Sequence, residues 1–413
     1  MTGPLPLPPS PALSEAERRR GLTVLMVTTF FAWGGFFLVV PLIAVHYVDG
    51  LGWAAATIGV ALAVRQFLQQ GLTTLSGALA DKVGAKGLIG AGMLVRAVGF
   101  AALAWADTYP LLLAAVVLAA VGGALFDAPK SAAIAALTTE AERPRYFAVS
   151  GVVIGLGIAL GTQAGALLLR VDFDLVALVS GACYLIIFAT VALFLPPVAV
   201  SHGEGGFWRG FGLALGDRRF VTFVSLMAGH WFMSTQFFLT LPLATVAVAG
   251  SVEAVAWVTA INSAVTVLLG YPLPRLVEPK LGVTGSLVLG VAATALGLLA
   301  IGFAPGVPAL LAAVVLFSLG TTLVRPNEQT VAASLADRRA LGSYFGVAAL
   351  SIAIGGGLGN VAGGYLYDLG MGAGWPALPW VVCALVGFAS AAGLHLTMGR
   401  TGTALEGPAV ASR

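Results

Sequence analysis

Two charged pairs stand inside apolar stretches of this chain at the same internal spacing: Asp127 with Lys130, and Arg325 with Glu328. A shift of 198 residues lays Asp127 on Arg325 and Lys130 on Glu328, with the signs exchanged. Residues three apart share one helix face. An ionised group in the middle of a membrane helix costs about 2.5–3.5 kcal/mol, so it marks a functional position by default. Two arrangements are open. Each pair neutralises itself within its own helix, or Asp127 meets Arg325 and Lys130 meets Glu328 across two halves of the molecule, as a gate at its cytoplasmic mouth. In the second arrangement the pairs form when the protein opens outward and part when it opens inward. Protonation of Asp127 or Glu328 would then weaken the gate and couple its motion to protons.

Arg65 and Arg96 fall near the centres of two other apolar stretches, with no acid at the same depth. They either pack against backbone carbonyls or near Asp127, or hold an anionic ligand group and tune the acidity of a neighbour. His230 has the titration range of a proton carrier, although a lone histidine is more often a neutral hydrogen-bonding group. Thr28, Gln163, Gln236 and Asn262 can bond a ligand or link helices. Phe36, Phe37, Trp231, Phe237 and Phe238 can wall a pocket or simply pack. No nucleophile–base cluster, Walker-type phosphate loop or Cys/His cluster is present, and Cys183 and Cys383 each lie in an apolar run. The residues therefore predict no catalytic site, metal or cofactor, and energy drawn from an ion gradient.

The elements that must carry these residues are membrane helices. Of 413 residues, 59% are hydrophobic and 9% charged, where a soluble domain carries about 25% charged. Spans of about 20 apolar residues are predicted at 22–45, 56–80, 87–106, 110–136, 146–170 and 174–196. Six more are predicted at 219–247, 252–276, 282–303, 307–335, 342–367 and 377–398. The expected plan is an all-α membrane protein with a tail (1–21), a six-helix bundle (22–196), a linker (197–218), a second six-helix bundle (219–398) and a tail (399–413). With the N-terminus inside, sixteen of the 21 Lys and Arg residues, among them Arg18, Arg19, Arg20, Lys82, Lys86, Arg143, Arg218, Arg219, Arg338 and Arg339, fall in cytoplasmic segments. Only Arg170 falls outside, so both termini are predicted cytoplasmic. The expectation is a multi-pass protein of the cytoplasmic (inner) membrane, monomeric, with lipid as its surroundings and no nucleic acid as a partner.

The halves repeat. Phe36-Phe37-Leu38-Val39-Val40-Pro41-Leu42 matches Phe237-Phe238-Leu239-Thr240-Leu241-Pro242-Leu243 at five of seven positions. At an offset of 198, Tyr146-Phe147 answers Tyr344-Phe345, Gly157, Gly161 and Gly165 answer Gly355, Gly359 and Gly363, and Lys82 and Gly84 answer Lys280 and Gly282. A parallel 6+6 repeat places a binding site near the midplane between two halves that rock about it.

The loop Gly77-Ala78-Leu79-Ala80-Asp81-Lys82-Val83-Gly84-Ala85-Lys86 resembles the signature loop of the major facilitator superfamily at each position. The resemblance implies a gating role for Gly77, Asp81, Lys82, Gly84 and Lys86, with Asp127 as a further possible partner of the loop. Asp49-Gly50-Leu51-Gly52-Trp53, Arg65-Gln66-Phe67, Phe126-Asp127, Arg218-Arg219-Phe220 and Tyr367-Asp368-Leu369-Gly370 extend it to the MdtH-type multidrug resistance transporters over nearly the whole chain. That implies the major facilitator fold and export of amphipathic compounds by proton antiport. The alternative is gradient-driven uptake of a small metabolite. Thr162 stands where the antiporter motif of helix 5 carries proline, and helix 1 has Thr28 and Thr29 where many drug antiporters embed an acid.

Overall fold

Backbone groups in hydrocarbon have no water to bond, so an apolar chain satisfies them within helices. The computed structural model describes residues 14–139, 142–197, 207–337 and 341–398, and these form helices with no strand among them. The N-terminal half holds α1 (Glu15–Ala44), α2 (Ala55–Val83), α3 (Ala85–Ala102), α4 (Tyr109–Ala124), α5 (Asp127–Leu137), α6 (Arg143–Leu169) and α7 (Phe173–Phe194). After α8 (Phe207–Gly216) come α9 (Arg218–Ser234), α10 (Thr240–Ala249), α11 (Glu253–Leu269), α12 (Pro272–Gly302), α13 (Val307–Leu335), α14 (Leu341–Gly372) and α15 (Leu378–Met398).

Among the described residues nine helical segments are long and apolar enough to cross a bilayer, and the bent α9–α10 pair makes a tenth. Neither α2 nor the 17-residue α11 is among them. Each of the twelve predicted stretches nevertheless lies on helix. The eighth runs through α11 into the start of α12, and the ninth begins where α12 turns at Gly282.

Besides the eighth, interrupted at Gly270–Tyr271, two predicted helices are broken. The fourth divides at Leu125–Phe126 into α4 and α5, and the seventh divides at Thr235–Leu239 into α9 and α10. A proline clashes with the carbonyl four residues before it and cannot bond it. Pro129 and Pro242 put that position at Leu125 and Phe238, inside the two breaks. The linker also differs from its predicted polar stretch, because it contains α8, which packs on α14 and α9.

The repeat is visible in the backbone. Helices begin at Ala55 and Glu253, at Tyr109 and Val307, and at Arg143 and Leu341, each pair 198 residues apart. Gly84 (φ 83°, ψ 145°) and Gly282 (φ 68°, ψ 173°) share a conformation that only glycine adopts without strain. Helix α1 packs on α6 and α7, α3 on α4 and α7, and α2 on α4. Their counterparts follow suit: α9 packs on α14 and α15, α12 on α13 and α15, and α11 on α13. Two pairs, α2 with α14 and α6 with α11, join the halves most extensively.

The face from which α1 starts, and at which α2 and α13 end, is the basic face. There Arg18 donates to the Glu142 carboxylate at 2.6 Å and to the Leu137 carbonyl at 3.2 Å. Thr139 donates to the same carboxylate through its hydroxyl at 2.9 Å. Arg18, and then Thr139, hold the Glu142 carboxyl at about 2, below its ordinary 4.5. A depressed carboxyl value means the stabilisation is complete above the ordinary value and is lost as pH falls toward the depressed one. The difference in melting temperature between the wild type and Glu142→Gln is therefore expected to stay constant from about pH 5 to 8 and to shrink below about pH 4. A difference that grew on acidification would contradict this pairing.

Candidate functional site

Every hydrogen bond or ion pair seen between the halves, among the described residues, lies from mid-depth to the face opposite the basic one. At that opposite face the Asp368 carboxylate, from the end of α14, accepts the backbone N–H groups of Ala55 at 3.0 Å and Ala56 at 2.8 Å. These are the first residues of α2, whose unpaired donors and positive dipole end suit a carboxylate. Arg170 at the end of α6 bridges Glu253 at the start of α11 at 2.8 Å. Deeper in, Phe36 and Phe37 of α1 meet Phe238 in the α9–α10 break, with ring centroids 6.3 and 5.7 Å apart. At mid-depth the Gln66 amide donates to the Ile352 carbonyl at 3.4 Å.

Two clefts open beyond these contacts. The N-terminal one is lined by Ala32, Trp33, Phe36, Gln69, Arg96, Phe126 and Asp127. The C-terminal one, the roomier of the two, is lined by Trp231, Arg325, Glu328, Gln329, Ala332, Phe345, Ala348, Ala349 and Ile352. All four residues of the charge pairs belong to or border these clefts.

The pairs are not used alike. Asp127 is the first residue of α5, where the helix dipole favours an acid, and Lys130 lies 3.7 Å from it with its ammonium over the Phe126 ring at 5.0 Å. Arg325 and Glu328 form no ion pair within 4 Å. Both turn instead to Trp231: Glu328 accepts its indole N–H at 3.1 Å, and Arg325 lies 5.7 Å from the ring centroid. In this arrangement, closed at the opposite face, none of the four pairs across the halves.

Arg65 and Arg96 are 7% and 5% exposed, and no carboxylate lies within 4 Å of either among the described residues. They flank the Phe36 ring, with guanidinium carbons 5.1 and 5.4 Å from its centroid. Arg96 also lies over Tyr184 at 5.0 Å and Phe100 at 5.7 Å. Arg65 donates to the Gln69 side-chain carbonyl at 3.1 Å. The Nε of each arginine has no partner.

The remaining predicted positions lie apart from the clefts or in their packing. Thr28 is fully buried and donates to the Leu25 carbonyl. Phe37 stacks with Trp33 at 6.1 Å, behind the cleft. His230, 1% exposed, has Nε2 at 3.1 Å from the Ser234 hydroxyl and no partner at Nδ1. The Gln236 amide donates to the Gly359 carbonyl at 2.8 Å, and its oxygen accepts from Thr240 at 2.9 Å. Asn262 accepts from Ser318 at 3.0 Å. Gly77, Asp81 and Lys82 fall in the last two turns of α2, and the surroundings of all three lie outside what the structure describes. Gly84 makes the turn, and Lys86 stands half-buried in the first turn of α3. Sequence reasoning passed over Gln69, although it stands one helical turn after Arg65. It also read no contact between the halves from Arg170 with Glu253, or from Asp368, because nothing in a spacing marks a contact between halves.

Two similarly packed helical sets bearing charged clefts define the two-bundle transporter architecture. The family model of the Major Facilitator Superfamily matches residues 25–250 and, again, 226–408, and the chain belongs to that superfamily. Within it, the multidrug resistance protein MdtH of Photorhabdus laumondii is 38% identical over 384 residues, covering 93% of this chain and 96% of that protein. The MdtH protein of Yersinia pestis is 38% identical over 389 residues, covering 94% and 97%. Among solved structures the POT family transporter PepTSo has a TM-score of 0.80 at 14% identity, covering 94% of this chain and 99% of that one. The nucleoside transporter NupG gives 0.78 at 12% identity, covering 91% and 98%. These two share the fold.

Proposed function

We propose that this chain is a multidrug exporter driven by inward proton movement, working as a monomer by alternating access in a bacterial-type inner membrane. The observation that carries the reading is the disposition of the clefts. Charged and aromatic surfaces from both halves open to one face, while the other is held shut by Asp368, Arg170–Glu253 and the Phe36–Phe37–Phe238 contact. The excess of Lys and Arg on the basic face supports reading that face as cytoplasmic and the arrangement as inward-open, ready to load from the cell interior. The MdtH relatives carry the drug-resistance name, which supports export over uptake. Glu328, whose carboxylate is held by an indole rather than by a cation, is the acid best placed to exchange a proton with the open cleft.

The test is accumulation of ethidium in efflux-deficient bacteria expressing the chain, with and without a protonophore. Wild-type protein is expected to lower accumulation, and the protonophore to abolish the effect. Glu328→Gln, which keeps an acceptor for Trp231 but cannot titrate, is expected to reach the membrane in equal amount and lose the protonophore-sensitive part. Undiminished export by Glu328→Gln would remove that residue from coupling. Higher accumulation with the wild type would turn the reading to uptake.

A further inference from the structure

Arg65 and Arg96 are buried cations with no carboxylate within 4 Å among the described residues, and the fold does not demand them. Their counterparts 198 residues on are Ser263 and Thr294, buried in the same packing of α11 and α12. The C-terminal half thus builds equivalent helices with small hydroxyl side chains. Two buried guanidiniums without a carboxylate are costly to keep in a membrane protein. Aromatic faces offset part of that cost, but a quadrupole is no substitute for an anion. The one acid on the same cleft, Asp127, already has Lys130 beside it at 3.7 Å.

The surroundings are those of a binding subsite rather than of plain packing. Arg96 itself lines the cleft, and its Nε–H is buried and unpartnered. Gln69 lines the cleft next to it. Arg65 occupies the carbonyl oxygen of Gln69 at 3.1 Å, which leaves the amide NH2 to donate. A donor fork and an amide donor thus stand beside the rings of Phe36 and Trp33. A planar guanidinium with an adjacent amide matches the two oxygens of a carboxylate, and the rings suit a flat apolar body.

We infer that Arg96 and Gln69, backed by Arg65, form an anion-binding subsite in the N-terminal cleft, and that the molecules this chain carries include aromatic amphiphiles bearing a carboxylate. The inference rests on the transporter reading above and names its substrate class. Binding would bring the missing negative charge to the arginine pair, so the loaded cleft would be closer to neutral than the empty one.

The experiment compares 1-pyrenebutyrate with its methyl ester, by fluorescence anisotropy, on the purified full chain in lipid nanodiscs. The wild type is expected to bind the carboxylate at least about tenfold more tightly than the ester, as the loss of charge-assisted bonding implies. In Arg96→Gln the ratio is expected to fall near one, in Arg96→Lys to be partly kept, and in Arg65→Gln to fall less than in Arg96→Gln. Equal affinity of the wild type for acid and ester would overturn the anion subsite and leave the exporter reading standing. A preference that survived in Arg65→Gln/Arg96→Gln would overturn the assignment to these residues. Binding of neither probe, together with unchanged ethidium accumulation in cells, would overturn both readings. The wild-type comparison decides the main point even if a variant fails to fold.

Discussion

Asp368→Asn is expected to shift the molecule toward the state open at the face opposite the basic one, by about tenfold to a hundredfold in population. The carboxylate of Asp368 accepts two backbone N–H groups at the start of α2, across the boundary between the halves. Opening that face must break both bonds. Hydrogen bonds to charged groups contribute about 1.5–3 kcal/mol, and each 1.4 kcal/mol is tenfold in an equilibrium. Asparagine keeps one oxygen acceptor but loses the charge, and its NH2 group would face donors. The Arg170–Glu253 bridge spans the same boundary but is 60% and 37% exposed, so it counts for less. Spin labels at Leu51 and Met371, both exposed at this face, with Cys183 and Cys383 replaced by serine, would report the change as a longer-distance population. An unaltered distance distribution in Asp368→Asn would show that other contacts hold the face closed.

The second large effect concerns folding. Gly157, Gly161 and Gly165 lay the backbone of α6 directly on that of α1, and Gly355 and Gly359 lay α14 on α9 in the same way. A side chain on Gly161 would collide with the Gly34 backbone, and one on Gly355 with that of Ala228. Neither neighbour is a flexible side chain that can swing aside, and small residues are what allow such close helix approach in membranes. Gly161→Leu is therefore expected to lose most of the monodisperse protein extracted from membranes. Overpacking costs about 1–3 kcal/mol, and more where backbone is the obstacle. Gly151→Leu is the control: it lies on the same helix, exposed, with nothing near the added atoms. Fluorescence-detected size exclusion and melting temperature would measure both, and equal behaviour of the two variants would refute the packing argument.

What the sequence made legible follows from periodicity and bookkeeping of charge. Apolar windows located the helices, and the 198-residue offset read from side-chain matches, the glycines at 84 and 282 among them, reappears in the helix starts at Ala55 and Glu253 and at Arg143 and Leu341. Helix breaks were only half legible. Pro129 and Pro242 each fall four residues after a break, yet Pro41 and Pro326 lie inside continuous helices, and nothing in the structure explains why those two are tolerated. The partners of the buried charges were the least legible. Gln69 follows Arg65 by one turn, a local signal. Phe36 between two arginines, and Trp231 between Arg325 and Glu328, are contacts between different helices with no spacing to announce them. Exchanged signs at matched positions suggested symmetric use, but the α4–α5 break gives Asp127 a helix start, whereas Arg325 sits within an unbroken α13.

That break has a mechanical consequence. The interruptions of the two halves are not matched: one half is broken between α4 and α5, whose counterpart α13 is continuous, and the other between α9 and α10, whose counterpart α1 is continuous. Turning the molecule about its pseudo-twofold axis would exchange continuous members for broken ones. The stroke that opens one face is therefore not the reverse image of the stroke that opens the other. Under the alternating access proposed above, the two strokes would bend different levers, and the loading and return steps could be tuned separately.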